Sequence, residues 1–303
     1  MSRMTRIGVI GAGRVGAVFA AALRAQGHEI VAVSAESTLS RERACTLLPG
    51  VPVCKPTEVA RRSDLLLLTV PDDMLANVAN MLVGAGAITP GMSVVHTSGR
   101  HGLSVLDVAS RAGARPMAVH PALTFTGTEL DLDRLSGCVF GVTVAEDDRE
   151  QAARLVADLG GTPMWVAESD RTLYHAGMAH RANHLVTLVA QSMDLLARAG
   201  AADPAATLRP LLTAALENAL TQGDAALTGP IVRGDVNTVR AHVTDILASA
   251  PDTLASYVAL ARATADRAVM DGRLLPIRAA AISSVLDGAV AAAAQRFQAG
   301  TAS

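Results

Sequence analysis

Residues 7–16 read Ile-Gly-Val-Ile-Gly-Ala-Gly-Arg-Val-Gly, a short apolar run that leads directly into a Gly-x-Gly-x-x-Gly pattern. A β-strand that ends in this pattern and opens a helix forms a turn that binds the pyrophosphate of a dinucleotide. The first glycine permits the tight turn, the second lets the backbone approach the pyrophosphate, and the third allows close helix packing. We therefore predict a dinucleotide-binding turn formed by Gly11, Ala12, Gly13, Arg14, Val15 and Gly16.

The pattern that surrounds this turn predicts the fold class. Strand-like runs recur seven times in the first half of the chain, at 7–10, 30–34, 65–70, 93–97, 115–119, 139–144 and 164–166. Helical patterns at 14–26, 72–82 and 147–159 lie between them, and this alternation is typical of a doubly wound, mostly parallel sheet. After Glu168 only helical spacing remains, interrupted by prolines; Pro204 and Pro251 stand where helices are expected to begin. We predict a Rossmann α/β domain over residues 1–168 and an all-helical domain over residues 169–303.

Composition excludes several classes of partner. The net charge is -2, charged residues make up 18% of the chain, and no long run of like charge occurs, so neither nucleic acid nor an anionic membrane is an expected partner. No uninterrupted apolar run approaches the roughly 18 residues of a membrane span, and residues 1–6 do not read as a signal peptide. Cys45, Cys54 and Cys138 are few, odd in number and without metal-ligand spacing. We expect reduced thiols, no metal site and a cytoplasmic location.

The end of the second predicted strand bears on the choice between NADP and NAD. The position that often holds an acidic residue for the ribose hydroxyls is Ser34, with Ser37, Arg41 and Arg43 following it. Hydroxyl and guanidinium groups suit a 2′-phosphate, which favours NADP. Glu36 could instead bind the hydroxyls of NAD, and Arg41 and Arg43 could simply lie on a solvated helix face.

Three further strand ends carry small, proline or imidazole groups, at the edge where doubly wound sheets bind their ligands. These are Val70-Pro71, Ser98-Gly99 after His96, and His120-Pro121. We expect Val70, Pro71, Ser98 and Gly99 to contact the cofactor, and His120 to be a candidate acid or base. Either histidine could instead serve only as a hydrogen-bonded group at a strand end.

The long helix that opens the second half carries Tyr174, His175 and Asn183 among Ala, Leu and Val. Polar groups on such a face need partners, and a substrate can be that partner, although helices also bury an imidazole or amide for packing alone. Further along, Thr228 and Arg233 lie in a Gly-Pro loop, where a guanidinium could clamp a carboxylate. Arg233 could alternatively pair with Asp235 at a helix start.

Together these motifs resemble a family of little-characterised Rossmann oxidoreductases whose helical C-terminal domain is described as a domain of unknown function. The resemblance rests on the glycine turn, on residues 96–99 and 120–125, on Tyr174-His175 with Asn183, and on the run that ends at Asp235. It implies a 6-phosphogluconate-dehydrogenase-like helical domain, an NADP cofactor and a homodimer. The resemblance extends to alternative ketopantoate reductases, which makes reduction of 2-dehydropantoate the most specific expectation.

One departure from the related enzymes concerns the proton donor. Ketopantoate and β-hydroxyacid enzymes place a lysine at the start of the long helix, whereas the single lysine of this chain is Lys55. His175, helped by Tyr174, would replace this lysine as proton donor. Asn183, Arg233 and Thr228 would bind the substrate, a small keto or hydroxy acid. The alternatives are an enzyme like prephenate dehydrogenase, with its base at His120, one like pyrroline-5-carboxylate reductase, or an NADP-binding sensor without turnover.

Overall fold

The computed structural model describes residues 4–301, with the side chains of residue 297 and residues 299–301 excepted. The first three residues of the stretch examined for a signal peptide therefore lie outside the described part. Contacts between residues divide the chain into two compact units, Met1–Ala182 and Asn183–Ser303.

The first unit is built on a seven-stranded sheet with the order β2-β1-β3-β4-β5-β6-β7. All neighbouring strands run parallel except β5 and β6, which pair antiparallel. The predicted strands and the mostly parallel sheet are thus confirmed, with ends that differ by at most two residues. The strands are Arg6–Ile10 (β1), Glu29–Ser34 (β2), Leu65–Leu68 (β3), Ser93–His96 (β4), Arg115–Pro121 (β5), Val139–Val144 (β6) and Thr162–Trp165 (β7).

Helices cover both faces of this sheet, which is why the central strands are apolar throughout. All four residues of β3, for example, are buried. One face packs on α1, α2, α6 and α7, and the other on α3, α4 and α5. These helices span Arg14–Ala25 (α1), Thr38–Leu47 (α2), Pro56–Arg61 (α3), Leu75–Gly84 (α4), Asp107–Arg111 (α5), Leu130–Leu135 (α6) and Arg149–Asp158 (α7).

The order of the strands creates the crevice expected of a doubly wound sheet. The chain moves from β1 outward to β2 and then returns to the other side of β1 with β3. Ligands bind outside the carboxyl ends of strands at such a switch point. At the outer edge of β2, Val33 and Val53 form an isolated parallel bridge, in the position that a further strand of the sheet would occupy.

The second unit is helical throughout its described residues. A helix that begins in the first unit, Arg171–Arg198 (α8), runs into it, and its other helices are Pro204–Gln222 (α9), Val236–Ser249 (α10), Pro251–Met270 (α11) and Pro276–Thr301 (α12). Its apolar core is formed mainly by α10, α11 and α12. Pro204 and Pro251 are the first residues of their helices, as predicted, and Asp203 and Asp235 cap α9 and α10 through their side chains.

The last helix buries one face in the core of its own unit, where Ile282, Leu286 and Ala289 pack. Residues Pro276–Arg296 are also long and apolar enough to meet the length and composition criteria of a membrane span, with a mean hydropathy of 1.4 and 17% of that window buried. The expectation of no membrane span rested on the length of uninterrupted apolar runs. This helix instead owes its mean hydropathy to alanines that are interspersed with polar residues. A core helix of a soluble protein meets the same criteria.

Candidate functional site

The glycine pattern forms the turn that its sequence predicts. Gly11 has a φ of +96°, in the left-handed region that favours glycine. Its N–H donates to Oγ of Ser34 (3.1 Å), and the N–H of Ala12 donates to the carbonyl of the same serine (2.8 Å). A Cβ on Gly16 would overlap the carbonyl oxygen of Gly11 and Oγ1 of Thr69, so only glycine lets α1 approach the strand this closely.

A cavity of about 520 Å³ lies at the carboxyl ends of β1, β2 and β3, directly against this turn. Gly13 faces open space, since only Gly11 O comes within 4 Å of the position that its Cβ would take. Predicted cofactor contacts that line the cavity are Gly11, Gly13, Ser34, Ser37, Val70 and Pro71. The side chain of Val15 instead packs partly against the core, so only its backbone can serve a ligand at the turn. These features fit the adenosine and pyrophosphate portions of a dinucleotide.

Of the groups predicted to bind the 2′-phosphate, Ser34 and Ser37 line the cavity and Arg41 does not. The hydroxyl of Ser34 already accepts the N–H of Gly11, and Ser37 caps α2 by accepting the N–H of Ser40 (3.1 Å). Glu36 is exposed and lines the cavity, whereas Arg41 is exposed and is absent from the described residues that line it. The two serines therefore have structural duties beside any contact with a cofactor.

Arg43, which follows Ser34 in the sequence together with Arg41, lies near the same edge. The position of a Cβ on Gly127 would fall 2.6 Å from Nε of Arg43 and 3.0 Å from Cγ of Arg14, so both side chains lie against this glycine. Gly127 has a φ of +82°. Arg43 is thus placed beside Arg14 at a loop more than 80 residues further along the chain.

An imidazole and phenol cluster lies further along the same edge of the sheet, at the end of β5. Nδ1 of His120 and the hydroxyl of Tyr174 are 2.8 Å apart, within hydrogen-bond distance. The ring of His175 lies edge-on to His120, with 6.1 Å between centroids and an angle of 89° between planes. The structure therefore brings together three of the four predicted catalytic residues, from a strand and from the first turns of α8.

Two glycines make room for this cluster. A Cβ on Gly99 would lie 2.5 Å from Cδ2 of His175 and 2.9 Å from Nε2 of His120, so both rings pack directly on the glycine backbone. A Cβ on Gly141, in β6, would lie 2.5 Å from Cζ of Tyr174. Gly99 thus supports the imidazoles, in addition to its predicted contact with a cofactor.

Burial determines the protonation of the cluster. Burial, followed by the positive charge of Arg171, lowers the pKa of His120 from 6.5 to about 4, so this imidazole is neutral at pH 7. Burial also raises the pKa of the Tyr174 phenol above 10.0, which keeps it protonated. The hydrogen bond between them therefore joins two neutral groups, each able to donate or accept a proton.

His96 and Ser98 serve to shape the loop after β4. The fully buried ring of His96 pairs through Nε2 with the carbonyl of Gly102 (2.8 Å) and through Nδ1 with the N–H of Ser98 (3.2 Å). The hydroxyl of Ser98 accepts the N–H of His101 (3.1 Å). Of the two readings open for His96, these contacts favour the hydrogen-bonded group at a strand end.

Arg171 is the residue of this region that the sequence reasoning passed over. Its side chain is 1% exposed and donates to three backbone carbonyls, those of His101 (2.9 Å), Gly141 (3.0 Å) and Ser98 (2.6 Å). Its guanidinium carbon lies 5.7 Å from the centroid of the Tyr174 ring. An arginine at the first position of a helix resembles a solvated charge in the sequence, and no local pattern reveals its burial.

The remaining predicted residues belong to the second unit. Asn183 is its first residue and is exposed, and its carbonyl accepts the hydroxyl of Thr187 (3.2 Å). Thr228 and Arg233 are exposed in the loop before α10. Asp235 caps α10 by accepting the N–H of Thr238 (3.1 Å), so the cap forms without an ion pair to Arg233 among the described residues. The role of these residues toward a substrate stays a prediction.

Comparisons with known proteins match the two halves of the chain separately. Residues 2–121 match the Rossmann-like domain, and residues 138–264 match the Domain of unknown function (DUF2520). A comparison with curated proteins found no match.

Several solved structures share the fold over nearly their whole length. A Bacteroides fragilis protein, provisionally described as an NADP oxidoreductase, is 20% identical with a TM-score of 0.74, over 87% of this chain and 98% of that one. An Aspergillus terreus reductive aminase, in complex with NADPH and ethyl-5-oxohexanoate, is 16% identical with a TM-score of 0.57, over 95% and 94%. A Coxiella burnetii pyrroline-5-carboxylate reductase is 14% identical with a TM-score of 0.53, over 95% and 98%. The chain therefore matches a Rossmann-like domain followed by the DUF2520 domain, in a fold that these solved structures share.

Proposed function

We propose that this protein is an NADP-dependent oxidoreductase that reduces a small carbonyl or imine compound. One observation carries the proposal: the dinucleotide-type turn and the His120–Tyr174–His175 cluster lie along the same carboxyl edge of one parallel sheet. A dinucleotide spans such an edge from its adenosine end toward its nicotinamide end. Neighbouring strands are about 4.8 Å apart, so β5 lies about 10 Å from β3, within the span of an extended dinucleotide.

The cofactor fits the residues present at the turn. The N–H groups at the start of α1, the open backbone at Gly13 and the cavity beside Ser34 would hold the pyrophosphate and the adenosine. Arg14 and Arg43 add positive charge near the same edge, which supports NADP over NAD. When bound, NADPH supplies the hydride of the reaction.

The chain's own task is to bind the substrate and deliver a proton. Reduction of a ketone adds a hydride to carbon and a proton to oxygen as the C=O π bond breaks. His175 is the proposed proton donor, because an imidazole can carry a transferable proton and protonate a forming alkoxide. The neutral His120 and the protonated Tyr174 are proposed to orient the substrate oxygen through hydrogen bonds.

The proposed substrate is a small keto acid, with 2-dehydropantoate as the first candidate. Its support is the sequence resemblance to alternative ketopantoate reductases. Cyclic imines and keto esters form the second group of candidates, because structures of the same fold include a pyrroline-5-carboxylate reductase and a reductive aminase bound to ethyl-5-oxohexanoate. Asn183, Thr228 and Arg233 are the proposed substrate contacts of the helical domain.

Two measurements test this function. Calorimetric titration with NADPH and with NADH should show tight binding that favours NADPH, whereas preference for NADH would assign the ribose contact to Glu36.

The second measurement follows NADPH oxidation across a panel of keto acids, keto esters and cyclic imines. His175→Ala should lower turnover far more than NADPH affinity, and unchanged turnover in the folded variant would remove His175 as donor. NADPH binding without turnover of any candidate would favour a sensor, and absence of binding would refute the proposal.

We also propose that the protein is a cytoplasmic homodimer. Large apolar side chains are exposed along α8 and α9 of the second unit, and exposed apolar patches are typical of an interface. They include Leu185, Val186, Leu188, Leu211, Leu216 and Leu220. Light scattering of the purified protein should give twice the chain mass of 31.1 kDa, and a monomer at all concentrations would contradict this assembly.

A further inference from the structure

We infer that Arg171 is a positioning residue of the proposed active site, one that holds its parts together and places a fixed positive charge beside the imidazole of His120. The inference rests on the proposed function, because it assigns a role within that same site. Arg171 is not a catalytic residue in this scheme, since its guanidinium is buried and acts through its neighbours.

The hydrogen bonds of Arg171 connect the elements that carry the cluster. Ser98 and His101, whose carbonyls accept from Arg171, flank Gly99, on which both imidazoles pack. The third acceptor is the carbonyl of Gly141, on which the ring of Tyr174 packs. One side chain on α8 therefore ties the loop after β4 and the strand β6 to the helix that carries Tyr174 and His175.

Glu168, just before α8, completes this attachment. Its carboxylate accepts the N–H of Leu103 (2.7 Å) and the N–H of Ser104 (3.2 Å), and a Cβ on Gly102 would overlap that carboxylate. Among the described residues, six side-chain hydrogen bonds from Glu168, Arg171 and His96 thus hold the loop after β4, four from the first two residues and two from His96. Glu168 holds only the loop after β4, whereas Arg171 also reaches β6 and brings a positive charge near His120.

The charge of Arg171 has a specific target. His120 is faced by Tyr174, His175 and Arg171 from α8, by His96 from β4 and by Asp72 from the turn after β3. After burial, Arg171 makes the largest contribution to the low pKa of His120; His175 and His96 act in the same direction, and Asp72 opposes them. Arg171 thus adds to burial in keeping His120 neutral at mildly acidic pH.

Histidine titration by NMR tests this inference without substrate or cofactor. Protein labelled at histidine Cε1 is titrated, and the His120 signal is identified by its loss in His120→Asn. The wild-type signal should titrate near pH 4. Arg171→Met should shift it upward, whereas Arg171→Lys, which keeps the charge, should leave it low. Equal titration in wild type and Arg171→Met, or equal upward shifts in both variants, would overturn the inference.

Arg273→Met is the matched control. Arg273 also donates to three backbone carbonyls, those of Asp224, Ala225 and Leu227, but in the second unit. It should lower stability without moving the His120 signal. If Arg171→Met does not fold, the wild-type titration still tests the inference. A His120 pKa at or above 6.5 would refute the placement of the Arg171 charge beside a buried His120.

An activity measurement separates this inference from the proposed function. With a substrate in hand, Arg171→Met should lower kcat on the order of 100-fold, the loss expected for a misplacement of about 1 Å, with KM for NADPH unchanged. Arg171→Lys should recover part of that loss and the wild-type pH profile. An equal loss in kcat and in NADPH affinity would indicate general unfolding and overturn the positioning role. Failure to find any substrate affects the proposed function alone, since the NMR result still decides the role of Arg171.

Discussion

Replacing Gly99 by alanine tests whether His120 and His175 act as a unit. The added methyl would lie 2.5 Å from Cδ2 of His175, and ordinary contact begins at 3.4 Å, so the ring has to move by about 1 Å. A displacement of this size at a reacting group lowers turnover on the order of 100-fold. Because the φ of Gly99 lies outside the left-handed region, the backbone itself accepts alanine, and the expected stability cost is that of overpacking, about 1–3 kcal/mol.

The assay compares kcat and NADPH affinity of Gly99→Ala with those of Gly177→Ala. Gly177 lies on α8 two residues after His175, and a Cβ there would meet no atom within 4 Å. The control should therefore retain turnover and gain up to about 1 kcal/mol of stability, the usual advantage of alanine over glycine inside a helix. Wild-type turnover in folded Gly99→Ala would refute the assignment of the imidazole pair to the chemistry.

Three further predictions follow from the same contacts. Gly141→Ala should displace the Tyr174 ring, whose Cζ would lie 2.5 Å from the new methyl, and should lower kcat while calorimetric affinity for NADPH stays unchanged; equal kcat would exclude Tyr174. Gly16→Ala should abolish NADPH binding in the same titration, because its methyl would overlap the carbonyl of Gly11 at the turn, and retained affinity would contradict the assignment of the turn. Burial lowers the pKa of His96 from 6.5 to about 4, so the unfolded chain binds a proton that the folded chain refuses between those values, and this group should lower the unfolding free energy by about 3 kcal/mol as pH drops from 6.5 to 4, beside a similar contribution from His120. Denaturant melts of wild type and His96→Asn at both pH values measure this loss, which should shrink in the variant; an equal loss in both would assign it to other groups.

The fold was readable from the sequence because its signals are local. Apolar runs such as Leu65–Leu68 mark strands that are buried on both faces, and the glycines of residues 11–16 mark a turn whose geometry only glycine permits. The short helices α3, α5 and α6 were not predicted. Each has six or fewer residues, too short for a periodic pattern to separate it from a loop.

The candidate site was readable only in part, because its geometry depends on contacts between distant segments. His120 and Tyr174 could be selected as chemically capable residues, but their hydrogen bond joins positions 54 residues apart. The packing of both imidazoles on Gly99 has no sequence signal, since a glycine after a strand equally predicts an ordinary turn. Arg171 was missed for a related reason: its buried guanidinium finds its acceptors in the loop after β4 and in β6, and nothing near Arg171 in the sequence reveals them.

The absence of a lysine from the second half of the chain gains a physical interpretation from these contacts. A lysine at the start of the long helix would supply a positive charge and a transferable proton in one group. Here Arg171 supplies a charge that cannot be given up, because a guanidinium stays protonated, while His175, four residues later, supplies an imidazole whose proton can be transferred. Separating the two functions has a consequence for pH dependence. A lysine donor loses its proton and its charge together as pH rises, whereas in this chain the site keeps its positive charge after the donor has been deprotonated. Deprotonation of the donor should therefore lower turnover without removing the charge that Arg171 places beside His120.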